Sequence, residues 1–350
     1  MISQRPNKFL LPLSWLYEIV ITLRNWFYDY GIFTIHKFDA TIISVGNITV
    51  GGTGKTPIIE FIAKYLLSKN KKVAVVSRGY KRKSSGQVVV SNGKKILVDS
   101  NISGDESMQM AKNNSNLVVI VDEKRYRGVE TAKYNYNCDY ILLDDGFQHR
   151  AVERNCNLVL IDGTKSIDEM NLIPAGEARE KFSSFKRSDA IIITKCQSLS
   201  EKTFVIDKIR EVSTSPIFTT KENIISFYNL TKNKFQNINR LKNKSIIAFC
   251  GIANPEYFKA NLEDIEISVL KLISFNDHHF YQKDDLKYIL KSLQECNVKY
   301  VITTEKDAVK LPKEFIQKIS EVAEIFYASY EVKIREEKEF KIFLNKYVNN

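Results

Sequence analysis

Cysteine chemistry has little material in this chain. Cys138, Cys156, Cys196, Cys250 and Cys296 are an odd number, widely spaced, with no CxxC pair. A disulfide framework, a zinc knuckle and a thioredoxin-type redox centre are all without support. Most of these cysteines lie in or beside apolar runs, so buried, reduced thiols are expected. No secretory signal peptide is visible, and no window reaches about 18 consecutive apolar residues, which argues against a full membrane span. There is no internal repeat and no low-complexity tract. Histidine occurs only four times and tryptophan twice. Lysines are spread along the chain rather than interleaved with aromatics, so no nucleic-acid partner is expected.

The 350 residues are 44% apolar and carry a formal net charge of +11. That length predicts two domains, and that charge predicts an anionic partner. Both tryptophans lie in one segment, "FLLPLSWLYEIVITLRNWFYDYGIF". Trp15, Leu16, Ile19, Val20, Leu23, Trp26, Phe27 and Tyr30 recur at helical spacing, predicting a helix over about Leu13 to Tyr30 with a wide apolar stripe. Arg5, Lys8 and Arg24 flank or interrupt it. Two readings stay open for this stripe: a bilayer headgroup boundary, or an ordinary helix packed on its own domain.

Alternating apolar runs and helical patterns define the expected architecture. "ATIISVG", "KKVAVVS", "NLVVIV", "CDYILLDD", "CNLVLID" and "DAIIIT" read as strands covered on both faces. The fold class is therefore α/β: a P-loop NTPase-like, doubly wound, mainly parallel sheet, a second smaller α/β domain and an N-terminal amphipathic helix. The expected divisions are 1–38 for the N-terminal helix region, 39–223 for the core, 224–330 for the smaller domain and 331–350 for a terminal helix. "NIISFYNL" and "ASYEVKI" are expected to pair as a hinge.

Glycine is concentrated where chemistry is expected. "SVGNITVGGTGKTP" holds four of the chain's 14 glycines, after a strand and before a helical pattern. Glycines let backbone amides approach phosphate oxygens, and the helix start adds its positive dipole end. Thr49, Val50, Gly51, Gly52, Thr53 and Gly54 form the expected cradle. Lys55 would reach the terminal phosphates and Thr56 would ligate Mg²⁺. Thr49 stands where the strict motif has glycine.

Asp144 and Asp145 end an apolar strand, where a carboxylate can hold Mg²⁺ opposite Thr56; the alternative is a turn-forming pair before Gly146. Gln148 and His149 follow. Asp105 and Glu106 open a helix, where capping and dipole compensation are the simpler explanation. Asp277, His278 and His279 form a "DHH" cluster suited to a metal or to general acid–base work. Arg78, Arg125, Arg179 and Glu180 follow strand ends, as crevice or surface charges.

Together and in this order, "SVGNITVGGTGKTP", "SRGYKRK", "GDES", "LDDGFQHR", "IPAGEARE", "NDHHFY" and "TTEKDAVKL" resemble the tetraacyldisaccharide 4'-kinase family (lipid A 4'-kinase). The resemblance implies ATP-dependent phosphorylation of the 4'-hydroxyl of an acylated glucosamine disaccharide 1-phosphate, giving the bis-phosphorylated lipid A precursor. It implies ATP and Mg²⁺ as cofactors, and peripheral attachment through the N-terminal helix to the cytoplasmic face of the bacterial inner membrane. A monomer is the expected state. By the same resemblance Lys55 and Thr56 match nucleotide and magnesium residues, Asp105 the catalytic carboxylate and His278 its partner. Glu106, Asp144, Asp145, Gln148 and His149 match the magnesium and active-site cluster, and Arg125, Arg179 and Glu180 the crevice. His278 would come from the second domain, closing over the substrate. The rival class is a MinD-like membrane-bound nucleotide switch. Against it, Val50 stands where such proteins carry lysine, and "ITKC" continues into Gln197 rather than a guanine-reading aspartate.

Overall fold

The computed structural model describes residues 7–80, 82–164, 171–196, 203–252, 254–276 and 279–348. The expected active-site residue His278 and its neighbour Asp277 lie outside the described residues. The chain forms two compact units, residues 1–221 with 334–350, and residues 222–333. The family of folds is the expected α/β class.

In the first unit a 3-10 turn leads into helix α1 (Leu11–Asp29), then strand β1 (Thr41–Asn47) and helix α2 (Lys55–Ser68). Next come β2 (Val73–Ser77), β3 (Val88–Asn92), α3 (Ser100–Ser103), α4 (Asp105–Asn113), β4 (Val118–Val121) and α5 (Arg125–Tyr134). β5 (Tyr140–Asp144), β6 (Cys156–Asp162), β7 (Ala190–Thr194), α6 (Thr203–Arg210) and the start of β8 (Ile217–Asn229) complete the run. The strand order is β8-β7-β6-β1-β5-β2-β4-β3. Every neighbouring pair is parallel except β3 with β4. β1, β2, β4, β5 and β7 are almost wholly buried, the consequence of helices on both faces. β3 is a short antiparallel edge strand that the alternation of long apolar runs does not reveal.

The second unit holds the rest of β8, then β9 (Lys234–Asn237), β10 (Ser245–Cys250), α7 (Pro255–Glu263), β11 (Ser268–Ser274) and α8 (Lys283–Cys296). β12 (Tyr300–Thr304), α9 (Glu305–Ala308), α10 (Lys313–Ser320) and β13 (Glu324–Ile334) follow. The strand order is β11-β10-β12-β13-β8, with β9 pairing β8. "NIISFYNL" and "ASYEVKI" thus fall on the neighbouring strands β8 and β13. In the same unit His279 Nε2 lies 2.8 Å from Asp285 Oδ2, and its ring stacks on Phe275.

Strand β13 continues to Ile334, so the terminal helix α11 starts only at Glu337 and runs to Val348. It belongs to the first unit. Phe340, Phe343, Leu344 and Val348 are buried there. Tyr65 Oη donates to Asn345 Oδ1 at 2.6 Å, and Tyr140 Oη donates to the Val348 carbonyl at 2.6 Å.

The N-terminal helix is seated on the first unit by its polar side. Ser14 Oγ donates to the Leu172 carbonyl at 2.8 Å and accepts from Ala175 N at 3.0 Å. Tyr17 Oη donates to the Arg179 carbonyl at 3.1 Å. Glu18 pairs with Lys181, and Asp29 with Arg150. The apolar stripe points away from the unit: Trp15 is 63% exposed, Ile19 56% and Trp26 46%. Among the described residues no helix is long and apolar enough to cross a membrane.

Gly46, inside β1, approaches Phe147 so closely that a Cβ would lie 2.6 Å from Phe147 Cβ and 2.7 Å from its amide nitrogen. One of those neighbours is backbone, so relief requires moving the Asp145–Gln148 turn. Gly46→Ala should therefore cost about 1–3 kcal/mol, the range for overpacking a tight interior. Urea unfolding followed by far-UV circular dichroism measures this, and an unchanged midpoint would contradict the packing.

Candidate active site

The carboxyl ends of β1, β2, β4, β5 and β6 precede most of the candidate residues, at the edge where open α/β sheets place ligands, whereas Asp105 and Glu106 open α4. After β1 the chain turns through Ile48–Gly54 into α2. Gly54, at φ +77°, is the N-cap of α2, a left-handed conformation that costs glycine little. The loop is tied down on its flank by the segment holding Arg179. Val50 N donates to the Glu177 carbonyl at 2.8 Å, and Arg179 N donates to the Ile48 carbonyl at 2.6 Å. Thr49 and Thr53 are buried with hydroxyls that lack a partner, whereas Gly51 and Gly52 are exposed.

Lys55 opens α2. Its Nζ lies 3.3 Å from Asn47 Oδ1 and 3.3 Å from Asp145 Oδ1. Asn47 is itself aimed by its Nδ2, which donates to the Thr49 carbonyl at 2.7 Å. Asp145 sits at φ +52° and also accepts from Arg179 Nη1 at 2.8 Å. Burial raises its carboxyl pKa, but Lys55 and Arg179 outweigh this and hold it below the ordinary value. One carboxylate thus spans two cations at the mouth of the glycine loop.

Asp144 ends β5 and is buried. Ser77 Oγ donates to its Oδ2 at 2.8 Å, while Oδ1 has no partner. Burial pushes its pKa up to about 6, with Glu106 adding to the rise and the Ser77 bond opposing it. A buried, unpartnered carboxylate oxygen is costly by itself and suits a cation. Asp144, with the Thr56 hydroxyl in the first turn of α2, could hold Mg²⁺. Among the described residues no three His, Cys, Asp or Glu side chains form a metal cage. Mg²⁺ does not need one, since it usually keeps waters and shares phosphate oxygens.

The remaining expected residues fall into two kinds. Asp105 and Glu106 stand exposed in the first turn of α4. Arg125, Gln148 and Glu180 are instead built into the interior or its margin. Arg125 is 2% exposed and donates to the Asp122 carbonyl at 2.8 Å; burial lowers its pKa to about 10, so it stays charged at neutral pH. Gln148 Nε2 donates to the Asn47 carbonyl at 2.9 Å and lies 3.2 Å from Glu180 Oε1. Glu180 also accepts from Ser184 Oγ at 3.0 Å and Asn25 Nδ2 at 3.4 Å, and pairs with Arg187. It braces the site and joins it to α1. His149 is held neutral: burial lowers its pKa to about 4, with Arg125 adding to the effect.

A family model for tetraacyldisaccharide-1-P 4'-kinase matches residues 6–349. The chain belongs to that family. It is 35% identical to the tetraacyldisaccharide 4'-kinase of Halothermothrix orenii over 96% of this chain and 91% of that one. It is 38% identical to that of Desulfotalea psychrophila over 86% of each. The fold is similar to Aquifex aeolicus LpxK in complex with ATP, with a TM-score of 0.72 and 30% identity over 97% of this chain and 99% of the other.

Several members of the site were missed in the sequence. Asn47 and Ser77 look like ordinary strand residues, and nothing local marks them. Asp162 and Lys195 carried a usable signal, because each follows or ends an apolar strand as Asp144 does.

Buried Asp144 and half-buried His149 titrate in opposite senses. His149 has its folded pKa depressed from 6.5 to about 4. Between those values the unfolded chain binds a proton the folded chain refuses, so its contribution to stability is lost as pH falls. Asp144 is raised from 3.8 to about 6, so its contribution is present at low pH and is lost as pH rises through 6. His149→Asn removes the first effect and leaves the second. In metal-free buffer the variant should gain stability relative to the parent as pH drops from 6.5 to 4. Urea midpoints across that range measure it; parallel curves would refute the assignment.

Proposed function

We propose that this protein transfers the γ-phosphoryl group of ATP to the 4'-hydroxyl of an acylated glucosamine disaccharide 1-phosphate, as a tetraacyldisaccharide 4'-kinase. The observation that carries the reading is the placement of Lys55 at the glycine loop, held by Asn47 and Asp145. Phosphoryl transfer needs alignment and charge stabilisation more than covalent help. Lys55 and the amides of Gly51–Thr56 bind and orient the β- and γ-phosphates. Arg179 and the buried, charged Arg125 supply fixed positive charge near the transferring oxygens. Asp144 and Thr56 would hold Mg²⁺, which would supply neutralising charge to the phosphates.

Asp105 takes the role of general base, accepting the 4'-hydroxyl proton on a carboxylate oxygen. Its place at an exposed helix start leaves it accessible to a sugar alcohol. His278 is its proposed partner. Glu180 and Gln148 hold the glycine loop and its flank in register. A monomer is the proposed working form.

Peripheral attachment to the cytoplasmic face of the inner membrane is proposed for α1. The support is its orientation: polar groups are spent on the first unit, and the tryptophan-bearing stripe is left outward. Such a face, with arginine and lysine preceding it in sequence, suits an anionic headgroup layer.

Incubation with labelled ATP and acylated disaccharide phosphate should put label in the lipid. Asp105→Ala should lower that kcat by about 100-fold to 10,000-fold, the usual worth of a positioned base, with ATP affinity retained. Near-normal turnover in the variant would exclude Asp105 as base, and label released only as inorganic phosphate would exclude the kinase reading.

The combined variant Trp15→Ser, Ile19→Ser and Leu23→Ser should bind phosphatidylglycerol vesicles at least about tenfold more weakly, because each change removes apolar area from the immersed face. Vesicle cosedimentation measures this. Equal binding by the parent and variant would rule out the stripe as anchor.

A further inference from the structure

Strand β7 ends at Thr194, and Lys195 follows at φ +55°. The two belong to "ITKC", the stretch that lacks a base-reading aspartate. Both side chains reach the glycine loop. Thr194 Oγ1 donates to the Thr53 carbonyl at 2.9 Å, with the Ile161 carbonyl at 3.3 Å as its other acceptor. Lys195 Nζ donates to the Gly52 carbonyl at 3.0 Å and to Asp162 Oδ2 at 2.7 Å. Asp162 is buried at the end of β6. Its Oδ1 accepts from Thr164 N at 2.9 Å and Thr164 Oγ1 at 2.7 Å. Burial raises the Asp162 pKa, but Lys195 chiefly reverses this and keeps the carboxylate ionised.

These bonds act on orientation. A trans peptide is planar, and its C=O and N–H point in opposite directions. The Gly52 carbonyl shares a plane with Thr53 N–H, and the Thr53 carbonyl shares one with Gly54 N–H. Drawing both carbonyls toward β7 aims both N–H groups at the opposite side of the loop. A glycine-rich loop without that restraint is free to rotate its peptides. A carbonyl oxygen turned toward a phosphate would repel it, whereas inward amides attract it. The Thr53 N–H meanwhile closes a turn onto the Gly51 carbonyl at 3.1 Å, a bond that an arriving anion would replace.

We propose that Thr194 and Lys195, the latter steered by Asp162, are positioning residues for ATP that hold back the Thr53 and Gly52 carbonyls so that the loop amides face the phosphates. This rests on the nucleotide reading of the loop. Their cost falls on ATP binding and not on the lipid.

Thr194→Val keeps the shape of the side chain and deletes the donor; Thr194→Ser keeps the donor. Lys195→Met deletes the ammonium. Calorimetric Kd for MgATP, with KM for ATP and for the lipid, should be measured on the full chain. Thr194→Val should raise the Kd and KM for ATP by roughly threefold to tenfold, the net worth of one neutral hydrogen bond, and Lys195→Met by roughly tenfold or more, that of a charge-assisted one, with KM for the lipid unchanged. Thr194→Ser should bind ATP as the parent does. ATP affinity unchanged in Thr194→Val would overturn the proposal even if its Tm fell, since a merely structural bond lowers Tm alone. A parent that binds no MgATP would instead sink the nucleotide reading itself.

Discussion

One carboxylate governs the arrangement of charge at the glycine loop. Asp145 is shared between Lys55 and Arg179, which belong to chain segments more than a hundred residues apart. A lysine ammonium beside bare glycines would otherwise swing freely on a flexible stem. Asp145 and Asn47 instead hold it in one orientation. The conformation at Asp145 follows from the sharp turn after β5, and that turn exists because β1 and β5 lie side by side with Gly46 against Phe147.

The neighbouring Asp144 has the opposite character. Its burial raises its affinity for a proton, and one of its oxygens is left without a donor. Two adjacent aspartates therefore differ because one faces Lys55 and Arg179 and the other is buried with Ser77 as its side-chain donor. The same division recurs at the strand ends beyond: Asp162 pairs with Lys195, and Asp122 takes both Nε and Nη2 of Arg127. Each pair stiffens the loop next to it, so the carboxyl edge is held by charge as well as by the strands.

Helix α1 inverts the usual economy of an amphipathic helix. Its hydroxyl and amide groups are hydrogen-bonded to the segment bearing Arg179 and Glu180, while its large apolar groups stay in solvent. A surface helix normally buries its apolar stripe. Here the polar contacts place an outward apolar face and the glycine loop on one compact unit. That coupling suits chemistry on a lipid substrate.

Much of this was legible in residue order. The glycine loop, the strand-ending Asp144 and Asp145, the parallel core and the aromatic stripe follow from local pattern, because glycine tolerance, strand burial and helical periodicity are local properties. The linear order of motifs also identified the family. The direction in which α1 faces was not legible, since the stripe fits a protein core or a lipid surface equally well until its polar partners are known. Nor were Asn47 and Ser77, whose roles arise from contacts with residues far along the chain. The packed sheet alone decided that Glu180 is a buried brace and that Asp144 and Asp145 differ in charge affinity. Burial and neighbouring charge set those properties, and both exist only once distant strands are side by side.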